Sequence, residues 1–125
     1  MTKYDESFEP PAPVALVQIR KIESGERVKN IPVLLDTGAD ISLLPRQTVE
    51  SLGISPPPDK SFELEGVFGN EKSAEIYNFQ VVFLNKRFTG NYCVIDDKIG
   101  ILGRDILNQL SILFDGNNLV WQENK

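Results

Sequence analysis

The stretch that most constrains this chain is Pro32-Val33-Leu34-Leu35-Asp36-Thr37-Gly38-Ala39-Asp40-Ile41-Ser42-Leu43-Leu44-Pro45, where an apolar strand runs into an aspartate and then directly into a glycine turn. Apolar strands are buried, so an aspartate at the end of one is held at a fixed point on the edge of a core. Such a carboxylate is placed for chemistry. Asp-Thr-Gly occurs once in the sequence. Any mechanism that needs two such carboxylates must therefore take the second from another copy of the chain, which predicts a homodimer.

Several classes of function are excluded by what the chain lacks. There is no histidine, which removes Ser-His-Asp and Cys-His mechanisms and the usual zinc ligands. Cys93 is the one cysteine, so neither an internal disulfide nor a redox pair can form. Its neighbours Tyr92, Val94 and Ile95 mark it as a core thiol. A net charge of −5 with scattered Lys and Arg supplies no basic stripe for nucleic acid and nothing for an anionic membrane. The polar, acidic start Met1-Thr2-Lys3-Tyr4-Asp5-Glu6-Ser7 does not read as a secretory signal, and a cytoplasmic location is expected. Carboxylate acid–base chemistry remains.

With 125 residues, of which 41% are hydrophobic and 25% charged, the chain suits one globular domain. Residues 1–13, ending Glu9-Pro10-Pro11-Ala12-Pro13, read as an extended, flexible arm, and residues 14–125 as the domain. Val14–Ile22 and Arg27–Leu35 read as strands joined at Glu23-Ser24-Gly25-Glu26. Pro45 opens a short helix over Arg46–Leu52, and Gly53 stops it. Phe62–Val67 and Ser73–Leu84 read as the arms of a long hairpin tipped by Gly66-Val67-Phe68-Gly69-Asn70. In the second arm Tyr77, Phe79, Val81 and Phe83 alternate with Asn78, Gln80 and Val82. Phe88–Ile95 and Ile99–Leu102 are further strands, Arg104–Gln109 a short helix, and Ser111–Asp115 with Leu119–Trp121 a terminal hairpin. Asp96-Asp97 reads as a solvated turn rather than a metal site. The sum is an all-β chain with one or two short helices.

Two carboxylates held together share one proton and present an acid and a base to a single water, which is sufficient to hydrolyse an amide. Leu34-Leu35-Asp36-Thr37-Gly38-Ala39-Asp40, followed sixty-odd residues later by Gly100-Ile101-Leu102-Gly103-Arg104-Asp105-Ile106-Leu107 with a glycine-tipped hairpin between, resembles the paired signature of the retropepsins. These are the dimeric aspartic proteases of retroviruses, retrotransposons and their cellular and bacterial relatives, and the resemblance spans about residues 14–122. It implies an acid-protease half-barrel with a flap hairpin and an aspartic endopeptidase acting on extended polypeptides, with no metal or organic cofactor.

Carried over residue by residue, the resemblance makes Asp36 the catalytic aspartate, Thr37 the hydroxyl that interlocks with the twin loop, and Gly38 the carbonyl that holds the substrate main chain. Ala39, Asp40 and Ile101 would contact substrate. Gly66, Val67, Phe68 and Gly69 would form the flap tip that covers it. Leu102, Gly103 and Arg104 would support the site, with Arg104 paired to Asp40. The C-terminus departs from the viral pattern, because Ile112–Trp121 reads as a hairpin of its own. A dimer sheet built differently is expected. A rival of another class is a related domain kept for peptide binding or dimerisation with little or no proteolysis, and the presence of Asp36, Thr37 and Gly38 speaks against it.

Overall fold

The structure, a computed structural model, describes residues 1–56, 61–65 and 71–125. Its elements in chain order are β1 (Thr2–Lys3), β2 (Val14–Arg20), β3 (Arg27–Leu35), β4 (Leu43–Pro45), α1 (Arg46–Ser51), β5 (Ser61–Glu65), β6 (Glu71–Glu75), β7 (Tyr77–Phe83), β8 (Lys86–Ile95), β9 (Gly100–Leu102), α2 (Arg104–Leu107), β10 (Ile112–Asp115) and β11 (Val120–Glu123). Six strands close a barrel in the order β2-β3-β9-β4-β8-β7. This is the all-β architecture with short helices that the sequence predicts. The expected long hairpin is divided: β6 pairs with β5, whereas β7 joins the barrel between β2 and β8.

Period-two alternation fills the barrel. Ala15, Val17 and Ile19 of β2, Ile31, Val33 and Leu35 of β3, and Tyr77, Phe79, Val81 and Phe83 of β7 are all buried. Gly25 takes a φ of 75° in the β2–β3 turn and Gly53 a φ of 72° after α1, the left-handed positions for which glycine is suited. Cys93 lies wholly inside, and burial pushes its thiol up to about 11, so it is a packing residue.

The site is positioned by the insertion of β9 between β3 and β4. It runs parallel to β3, with Leu34 opposite Ile101 and Leu35 opposite Leu102, and antiparallel to β4, with Leu43 opposite Ile101. The loop that carries Asp36 joins β3 to β4, so β9 is wedged between the two legs of that loop. Glycines make the wedge possible. A Cβ on Gly100 would lie 2.6 Å from the Leu43 carbonyl oxygen, and one on Gly103 would lie 2.6 Å from that of Ile41 and 2.9 Å from that of Ala39. Gly103 has a φ of −97°, open to any residue, so its requirement is for space.

Residues 1–13, expected as a mobile arm, are hydrogen-bonded at both ends, over Thr2–Asp5 and at Ala12 and Pro13. Thr2 and Lys3 pair with Trp121 and Val120, which places β1 in a three-stranded sheet ordered β1-β11-β10. The Tyr4 N–H donates to the Leu119 carbonyl at 2.8 Å, and Asp5 and Ala12 exchange backbone bonds of 2.7 and 3.1 Å. The expected C-terminal hairpin is present as β10 and β11. Trp121 is buried against Phe83 and donates its indole N–H to the Val14 carbonyl, which ties this sheet to the barrel.

Candidate active site

Asp36 sits immediately beyond β3. Its N–H donates to the Leu102 carbonyl of β9 at 3.0 Å, which extends the ladder by one residue and fixes where the side chain leaves the barrel. The chain then turns sharply: the Ala39 N–H bonds back to the Asp36 carbonyl at 3.2 Å, and the Gly38 N–H donates to Asp36 Oδ1 at 2.9 Å. One carboxylate oxygen is thus held by the backbone, in the manner of an Asx turn. The half-buried carboxylate keeps its other oxygen free of protein donors among the described residues. Thr37 and Gly38 are exposed beside it.

The loop is fastened from below by the start of α2. The Arg104 N–H donates to the Ala39 carbonyl at 2.8 Å, and Arg104 Nη1 donates to the Thr37 carbonyl at 2.7 Å. Ser42, the one wholly buried polar residue among those described, donates its hydroxyl to Asp105 Oδ1 at 2.6 Å and accepts from the Gly103 N–H at 3.0 Å. Its own N–H reaches Asp105 Oδ2 at 3.0 Å, and the Ile106 N–H bonds Oδ1 at 2.9 Å. Asp105 therefore acts as an acceptor block that joins the far leg of the Asp36 loop to α2. A buried hydroxyl left without such partners would cost about 1–3 kcal/mol.

Asp36, Thr37, Gly38, Ala39, Ile101, Leu102, Gly103 and Arg104 are brought together here. Leu102 is fully buried and Ile101 partly exposed on the Leu34 side of β9. One contact is different. Arg104 does not pair with Asp40; its guanidinium is taken by the Thr37 carbonyl, and Asp40 stands exposed with no ion pair to it. The family resemblance implied that partner, but the tight turn aims a backbone acceptor at the guanidinium instead. Gly66, Val67, Phe68 and Gly69 lie outside the described residues. Ser42 and Asp105 were not singled out from the sequence. The available signal was a lone hydroxyl inside the apolar run Ile41–Leu44, which calls for a buried partner.

Comparison with known proteins agrees with this fold. The family model described as retroviral aspartyl protease matches residues 12–114, and the chain belongs to that family. Among solved structures, the EIAV protease in complex with an inhibitor is 26% identical and superposes with a TM-score of 0.59 over 78% of this chain and 86% of that one. No curated protein matches the chain significantly.

Proposed function

We propose that the protein is an aspartic endopeptidase in which two Asp36 carboxylates, one from each copy of a homodimer, activate a single water. The observation that carries this reading is the Asp36 turn itself: a carboxylate at a strand end, oriented by the Gly38 N–H and braced by β9 and α2, in a chain of the retroviral aspartyl protease family. Two such groups face to face hold one proton between them. The unprotonated member takes a proton from the attacking water, and the protonated one donates to the peptide carbonyl oxygen and later to the leaving nitrogen. No cofactor enters the scheme.

A symmetric pair requires an isologous dimer with Asp36 on the two-fold axis. Thr37 supports that arrangement, since its hydroxyl is exposed and makes no hydrogen bond among the described residues. A second support is β10, the outer strand of the terminal sheet, which displays Leu113 at 49% and Phe114 at 38% exposure. Such an edge suits a partner strand. Polypeptides in extended conformation are the proposed substrates.

The test is cleavage of a denatured protein mixture between about pH 4 and 7, a range in which a dyad carrying one proton is active. The Asp36→Asn protein is expected to lose at least about 10³-fold in rate while sedimenting as the same dimer. Equal cleavage by both proteins, or an intact dimer that cleaves nothing, would defeat the proposal.

A further inference from the structure

Phe8 lies outside residues 12–114, the part of the chain that matches the family, yet it lines a pocket with Leu34 and Ile101, which are paired on the strands that lead to the Asp36 turn. It sits on a loop closed at its base by the paired backbone bonds of Asp5 and Ala12. Ser7 tightens the turn by donating its N–H and hydroxyl to Asp5 Oδ1 at 2.8 and 2.6 Å, bonds that also hold the Asp5 carboxyl below its ordinary pKa. Both ends of the segment are anchored. On one side Tyr4 is bound to Leu119, and on the other the Leu35 N–H donates to the Pro13 carbonyl at 3.0 Å, one residue before Asp36.

The half-buried Phe8 ring forms one wall of a cavity of about 200 Å³ whose other walls are Leu34, Ile95, Ile99, Gly100 and Ile101, with Asp97 as the charged residue of the lining. Leu34 and Asp36 are two positions apart, on the same side of the chain and about 7 Å apart along it at the rise of a strand. The β3 wall of the cavity is therefore the residue two positions before Asp36. The cavity's size suits one apolar side chain, since a void of roughly 150 Å³ lined by Leu, Ile and Phe accepts benzene.

We infer that Phe8 is a specificity-determining residue: it sets the size limit of an apolar side-chain pocket beside Asp36, so the N-terminal loop selects which aliphatic or aromatic residue of a polypeptide lies next to the scissile bond. This rests on the protease reading for its meaning, but the pocket can be tested without cleavage. In an Asp36→Asn background, binding of extended peptides that vary one residue through Ala, Val, Leu, Phe and Trp is measured by titration calorimetry, with Phe8 intact, with Phe8→Ala and with Phe8→Trp. Thermal unfolding of each protein checks that the barrel is retained.

With Phe8 intact, Leu or Phe is expected to bind best. Phe8→Ala moves the optimum to Phe or Trp, and Phe8→Trp moves it to Ala or Val, each by about tenfold relative to the former best peptide, as for changes of a methylene or more in an apolar pocket. The same rank order in all three proteins, or no binding by any of them, overturns the inference. Cleavage by the protein with Asp36 intact is scored separately. A chain that binds in a Phe8-dependent order without cleaving loses the protease reading and keeps the pocket, whereas one that cleaves with an order indifferent to Phe8 keeps the enzyme and loses the pocket.

Discussion

Two polar clusters in this chain are built from similar groups and do different work. Around Asp105, one carboxylate collects the Ser42 hydroxyl, the Ser42 N–H and the Ile106 N–H where the barrel meets α2. Around Arg46, one guanidinium faces three carboxylates at the surface: Asp96 at 2.7 Å, Glu75 at 3.6 Å and Glu50 at 3.7 Å. The second cluster has more formal charge, and the hydrogen bond to Asp96 raises the guanidinium pKa further. Yet its carboxylates are from 54% to 79% exposed, so water screens the attraction and the flexible side chains give up entropy to hold it. In the first cluster the hydroxyl is fully buried and has no water to return to. Burial, more than charge, decides which cluster contributes more to stability.

The comparison can be broken at three places. The largest effect is expected at Gly103, whose N–H feeds the Ser42 hydroxyl and whose missing Cβ leaves room for the Ile41 and Ala39 carbonyls. Gly103→Ala should cost about 3 kcal/mol or more, because backbone rather than side chain must move. A urea midpoint close to that of the parent protein would mean that the wedge of β9 is loose. Next comes Ser42→Ala, which strips the Gly103 N–H of its acceptor and Asp105 of a donor. A loss of about 1–3 kcal/mol is expected, read as a lower denaturant midpoint at unchanged slope. The smallest effect belongs to Arg46→Met, expected below about 1 kcal/mol and vanishing near 1 M salt. If Arg46→Met proved costlier than Ser42→Ala, the ranking by burial would fail.

Much of this site can be read from local residue types. Asp36, Thr37 and Gly38 stand out because a carboxylate and a glycine interrupt an apolar run, and Gly100 and Gly103 because they bracket a short apolar strand. The β7 core residues follow from alternation alone. What local patterning could not supply was the pairing of Ser42 with Asp105, 63 positions apart, since each is unremarkable until β9 is inserted beside the loop. Arg104 illustrates a second limit: the family resemblance pointed to Asp40, while the geometry of the turn offered the Thr37 carbonyl. The N-terminal segment is a third case. Its prolines read as an extended, solvated chain, and nothing near them in sequence announces that the β11 edge will be there to receive Thr2 and Lys3.

That pairing has a mechanical consequence. Because β1 runs antiparallel to β11 with Thr2 opposite Trp121 and Lys3 opposite Val120, both ends of the polypeptide emerge at the same end of the terminal sheet. Tension applied between the two termini would not shear the sheet with its bonds loaded together. It would open β1 from β11 like a zipper, one bond at a time, starting at the loaded end. The first piece surrendered would be the segment leading to the Phe8 loop, so a modest pull could alter the side-chain pocket while the barrel and the Asp36 turn stay closed.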